Sequence, residues 1–197
     1  MGRKFLDVSA KIIRCVAIPP TFVAILSVLM YFFKPEAFRN VWDLTVLIIA
    51  LAVLPALAYP LAAIIPYFRE KGRAGSRTLA FIGSTVGYIG GAVYSAVSGA
   101  AGDLKFIFFG YLIALYALTM LNKVFKVKAS GHACGILGPM LYMVYFFGLI
   151  WLIPFTVIAA LVVWSSIYRK SHTAKELLLG GACACLGFFV LLPTVLF

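Results

Sequence analysis

The chain has 197 residues, 64% of them hydrophobic and 12% charged, with a net charge of +11 and a mean hydropathy of +1.07. A soluble domain carries roughly 25% charged residues, so a water-soluble globule is excluded. A transmembrane β-barrel is excluded too, because runs such as 47–54 show no period-two alternation. What remains is an all-α, polytopic integral membrane helix bundle of about six or seven transmembrane helices, one membrane domain over residues 1–197.

In chain order, the opening MGRKFLDVSAKIIR does not read as a signal peptide, since Asp7, Lys11 and Arg14 interrupt its apolar stretch. It predicts a short amphipathic helix on the membrane interface, with Phe5, Leu6, Ile12 and Ile13 facing lipid. Seven apolar spans follow, at about 15–33, 44–67, 79–100, 105–122, 133–149, 151–167 and 173–196. The third carries Gly83, Gly87, Gly91, Ser95 and Gly99, a small residue at every fourth position. Such a stripe lets helix backbones approach closely in lipid. It predicts packing against another helix of the same chain, ahead of the alternative, a homodimer through Gly83, Gly87 and Gly91. The short turn at 148–151 predicts that the fifth and sixth spans form a tight antiparallel pair.

Of the 17 Lys and Arg, only Lys34, Arg39 and Lys105 fall in loops on the side away from the N-terminus. The positive-inside rule then makes the N-terminal side cytoplasmic, in a cell membrane. The charge is topology plus attraction to anionic membrane lipids, with no nucleic acid needed. The cysteines, Cys15, Cys134, Cys183 and Cys185, lie in or beside apolar segments, where cysteine acts as a small hydrophobe. The C-x-C pair 183–185 points to different helix faces, which disfavours a disulfide or a metal site.

The two histidines, His132 and His172, both fall on the basic side, each near a helix start. His172 and Glu176 are four apart and share a helix face. Glu176 reads as the only acidic residue at the start of a long apolar span, and an intramembrane carboxylate is costly unless it is used. A histidine held by a carboxylate has a fixed tautomer and suits a nucleophile or base. Clustered cations and two helix N-termini suit a phosphoryl group. A bis-His haem site does not fit two terminal histidines beside lysines. A transporter would place polar groups at the midplane. Prenyltransferases and CDP-alcohol phosphotransferases need Asp-rich motifs, and the six acidic residues here are scattered singly.

A lysine-rich segment followed by Ser130-Gly131-His132, then His172-x3-Glu176-x3-Gly180 two spans later, resembles the type 2 phosphatidic acid phosphatase superfamily. That family shares its helical fold with vanadium haloperoxidases, and the resemblance covers residues 105–190. It implies a metal-independent, cofactor-free hydrolase acting on a lipid phosphate or prenyl diphosphate. His172 would form a phosphohistidine, oriented by Glu176 in place of the usual Asp, and His132 would be the general acid. Ser130 and Gly131 would hold phosphoryl oxygens, with Lys128 and Lys123 or Lys126 standing in for the first motif. The family's third-motif Arg falls at Ser166 here, so Arg169 is expected to substitute. The rival reading is a non-catalytic lipid-phosphate binder on the same fold.

Overall fold

The computed structural model describes residues 6–10, 13 and 17–196, and among them there is helix but no strand. Seven main helices succeed one another: α1 (Pro19–Phe33), α2 (Val41–Ile64), α3 (Gly72–Val97), α4 (Gly102–Val124), α5 (Gly131–Phe147), α6 (Leu149–Tyr168) and α7 (Ala174–Val195). Each predicted span therefore has its helix. Five of them, all but α1 and α5, are long and apolar enough to cross a membrane. With 15 and 17 residues, α1 and α5 reach about 22 and 25 Å, short of a hydrocarbon core of about 30 Å. The protein is an all-α integral membrane bundle.

Residues 6–10 are helical. Leu6 and Val8 are exposed, but Ala10 is buried and Ile13 packs on the core, so Ile13 does not face lipid as the sequence suggested. Phe5, Ile12, Cys15 and the basic Arg3, Lys4, Lys11 and Arg14 lie outside the described residues.

The odd-numbered helices all start at one end of the bundle. Pro19 at the start of α1 abuts Gly135 near the start of α5, and Phe33 meets Phe147 at their other ends, with ring centroids 6.4 Å apart. The Ser130 amide donates to the Glu176 carbonyl at 2.8 Å, tying the first turns of α5 and α7 together. Helices α4 and α7 cross where a Cβ on Gly187 would stand 2.2 Å from the Gly110 carbonyl oxygen. Nearby, the rings of Phe106, Tyr142 and Phe188 form a core cluster with centroids 5.1–5.2 Å apart.

Inside α2 the chain widens into a π-helical turn at Ile49–Val53. Pro55 has no N–H for the carbonyl of Leu51, and a wider turn absorbs that gap. The small-residue stripe of α3 lies on this turn. A Cβ at Gly87 would come within 2.0 Å of the Ala50 carbonyl oxygen, and one at Gly83 within 2.6 Å of that of Leu54. The intramolecular packing expected of the stripe is thus filled by α2. A homodimer through Gly83, Gly87 and Gly91 would have to displace that helix. The predicted pairing of α5 with α6 is loose rather than tight: the two meet around their connection, where the rings of Phe147 and Trp151 are 6.3 Å apart, and α6 buries only Phe155, Val162, Ser165 and Ser166.

The geometry sorts charge by end. Arg69, Lys71, Arg73, Arg77, Lys123, Lys126, Lys128, Arg169, Lys170 and Lys175 sit at the end where α1 starts, while Lys34, Arg39 and Lys105 sit at the far end. The far end also holds Asp43, in the first turn of α2 and fully buried. Its carboxylate accepts from Arg39 through the backbone N–H (2.9 Å), Nε (3.0 Å) and Nη2 (2.6 Å), and from the Tyr94 hydroxyl (2.8 Å). Arg39 also donates to the Ser98 hydroxyl at 3.0 Å and to the Ser98 carbonyl. Glu176 is therefore not alone at a span start, since Asp43 and Asp103 also lie in the first turns of α2 and α4.

Candidate functional site

At the basic end, α4 finishes in a π-helical turn, Met120–Val124, and residues 126–130 run without regular structure to the start of α5. This strap turns at Lys126, whose φ is +54°, and the Val127 amide returns to the Leu121 carbonyl at 2.8 Å. The Asn122 amide grips the strap further on, accepting from the Ala129 N–H at 3.1 Å and donating to the Ala129 carbonyl at 3.2 Å. Ser130 then caps α5, its hydroxyl oxygen accepting from the Ala133 amide at 3.3 Å, which satisfies one of the helix's first free N–H groups.

The second chain segment comes from α6. That helix stops at Tyr168, and Lys170, at φ +50°, swings the backbone round. The Ser171 amide and hydroxyl both donate to the Ser166 carbonyl at 3.0 Å, fixing the turn. Thr173 caps α7 by accepting from the Glu176 amide at 3.3 Å. His172 thus lies just before the helix and Glu176 in its first turn.

These local rules bring three side chains into a chain of contacts. His172 Nδ1 is 2.7 Å from Glu176 Oε2, and Lys128 Nζ is 3.0 Å from Glu176 Oε1. The imidazole and carboxylate side chains are only 10% and 14% exposed. A cleft of about 360 Å³ opens over them, lined also by Ile167 and Lys170. The contact is possible because Gly180, four residues after Glu176, lets α7 touch the start of α5. A Cβ there would stand 2.1 Å from the Ser130 carbonyl oxygen.

Burial pushes the His172 imidazole below its ordinary value. The Glu176 hydrogen bond and charge oppose this, while the positive charges of Arg77 and Lys128 add to it. The ring is accordingly neutral near pH 7, and with its Nδ1–H donated to Glu176 the lone pair is on Nε2. A neutral imidazole of fixed tautomer beside ammonium groups can attack, or accept a proton from, an anionic ligand.

The sequence-predicted residues divide. His172, Glu176 and Lys128 meet at the cleft. Ser130 is fully buried as a cap behind the cleft wall, and Gly131 is exposed at the first position of α5. His132 is half-buried in the first turn of α5 and does not line the cleft; nor do the exposed Lys123 and Lys126. Arg169, expected to replace the arginine missing at Ser166, does not line it either; Lys170 does, because the left-handed turn at that residue redirects the chain. Sequence reasoning missed Asn122 and the reach of Arg77. An amide at position 122, on the helix that ends just before the Ser-Gly-His motif, was the available signal for the first; nothing local marked the second.

No family model, curated protein or solved structure matches this chain.

Proposed function

We propose that this protein is a metal-independent membrane phosphatase that acts on a lipid phosphate or isoprenoid diphosphate at the basic end of the bundle. The observation that carries the reading is the Lys128–Glu176–His172 chain at an open cleft where two helices begin. In this mechanism His172 Nε2 attacks phosphorus, and the P–O bond to the leaving group breaks. The departing oxygen takes its proton from water in the cleft, because His132, to which the motif resemblance gives that role, does not line the cleft. Water then attacks the phosphohistidine and gives up its proton to solvent, and inorganic phosphate leaves. Glu176 stabilises the positive charge that develops on the imidazole. Lys128 and Lys170, with the N-termini of α5 and α7, offset phosphoryl charge.

The test is phosphate release by purified protein from a panel of lipid phosphates and prenyl diphosphates, with orthovanadate as inhibitor. Orthovanadate mimics the pentacoordinate phosphoryl group, so it should block turnover. A lipid-phosphate binder without turnover is the second reading. It is favoured by Ser166, fully buried where the family carries an arginine. Ligand or vanadate binding with no phosphate released would establish it.

The charge asymmetry supports a cytoplasmic location for the basic end and the N-terminus. Single cysteines at Lys71 and Glu36, in a background lacking the native four, test this. An impermeant thiol reagent outside intact cells should label only the Glu36 position; labelling at Lys71 instead reverses the orientation.

A further inference from the structure

The Asn122 side chain holds both backbone polar groups of a strap residue. Its amide Nδ2 donates to the Leu118 carbonyl of its own helix at 2.8 Å and to the Ala129 carbonyl at 3.2 Å, while Oδ1 accepts from the Ala129 N–H at 3.1 Å. A side-chain amide has two donors and two acceptor lone pairs, so three of its four capacities are spent on this joint. The strap has no ladder or helix of its own. Between the end of α4 and the Ser130 amide, its backbone is fixed by the Val127–Leu121 bond and by Asn122. Lys128 stands one residue before Ala129, which is 1% exposed, so the position of Ala129 determines where the Lys128 stem begins. The ammonium at the end of that stem bonds Glu176, whose other oxygen holds His172.

We propose that Asn122 is a positioning residue, which clamps Ala129 so that Lys128 stays on Glu176 and sets the charge around the His172 imidazole. Its meaning for turnover rests on the phosphatase reading above, but the positioning itself does not. Without the clamp, Lys128, already 54% exposed along its side chain, gains freedom to leave Glu176 for solvent. Glu176 would then act undivided on His172. The charged groups around that ring are Glu176 from α7, Lys128 from the strap and Arg77 from α3, with Lys170 lining the same cleft. Losing Lys128 removes one of the cations, so the ring should hold its proton more tightly.

The experiment is an NMR titration of the two histidines in the detergent-solubilised full chain, with His132→Gln used to assign the signals. Asn122→Ala should raise the titration midpoint of His172 by about half a pH unit or more. Lys128→Ala should raise it at least as far, and the double variant should match Lys128→Ala alone. Should Asn122→Ala fail to fold, Asn122→Ser, whose shorter hydroxyl can bond the Leu118 carbonyl of its own helix but not Ala129, takes its place with a rise in the same direction. A lowered melting temperature with the His172 midpoint unchanged would mean that Asn122 only braces the fold, and the proposal would be wrong. Additive shifts in the double variant would also overturn it. Because no turnover is needed, a protein that releases no phosphate but shows these shifts retains the clamp while losing the phosphatase reading.

Discussion

The two ends of the bundle carry versions of the same arrangement, an acid in the first turn of a helix with a cation on it. At the far end Asp43 is fully buried and takes four hydrogen bonds, three from Arg39 and one from Tyr94. Its guanidinium partner is in turn bound to Ser98, so the cluster bolts the start of α2 to the end of α3. At the basic end Glu176 takes one bond from an imidazole and one from a lysine that is half in solvent. The Asp43 carboxylate has no lone pair left for a ligand, whereas the second cluster keeps a ring nitrogen and an ammonium beside an open cleft. Saturation, rather than residue type, separates a structural ion pair from a candidate reactive one.

The largest expected effect is at the open end. His172→Ala should remove phosphate release altogether, a fall of at least about 10⁴-fold, with the melting temperature in detergent nearly unchanged. The mirror experiment is Asp43→Asn, which leaves Arg39 without its carboxylate. It should cost about 1–3 kcal/mol of stability, because a buried amide at this position cannot accept all the bonds that the carboxylate takes, measured by denaturant unfolding, while activity per folded molecule stays the same. If both variants lost activity and stability alike, the contrast between the ends would be broken.

A smaller effect distinguishes two neighbouring cations. Lys170→Ala should lower kcat/KM roughly 10- to 100-fold by removing a charged donor from the cleft, and Arg169→Ala should change it little. The reverse ranking would restore the arginine that the motif comparison expected. The smallest effect is in pH. Turnover requires the neutral imidazole, so the acid limb of kcat/KM should lie below the ordinary histidine range, following the lowered His172 value. Unfolded chain binds the proton more readily, so the stability contributed by this ring is present above its unfolded value and lost as pH falls through the folded one. An acid limb above the ordinary range would mean that Glu176 outweighs burial and the neighbouring cations.

Much of this was readable along the chain, because it is local. The seven apolar helices follow from apolar runs, the sorting of cations from loop position, and the His172–Glu176 pair from a four-residue spacing that one helix turn must bring together. The rest depended on contacts distant in sequence. Asp43 looked unremarkable until Tyr94 and Ser98 arrived from α3. Arg77 reaches the field of His172 from a helix that begins about a hundred residues earlier. The exchange of Arg169 for Lys170 turned on one left-handed residue at a helix end, where spacing arguments on a continuing helix fail. The tight α5–α6 pair was inferred from a short turn, and a short turn fixes only where two helices meet, not how far they stay together.

That loosely held helix has a further consequence. Ile167 lines the cleft and is 47% exposed on the surface of α6 that looks outward, alongside Trp164, Val163 and Leu161. One wall of the cleft is therefore continuous with the surface that lies in hydrocarbon. A ligand already dissolved in the membrane would arrive by two-dimensional diffusion and never cross water. For such a ligand the governing variable is its mole fraction in the bilayer, so diluting the membrane with inert lipid would slow the encounter even at constant bulk concentration.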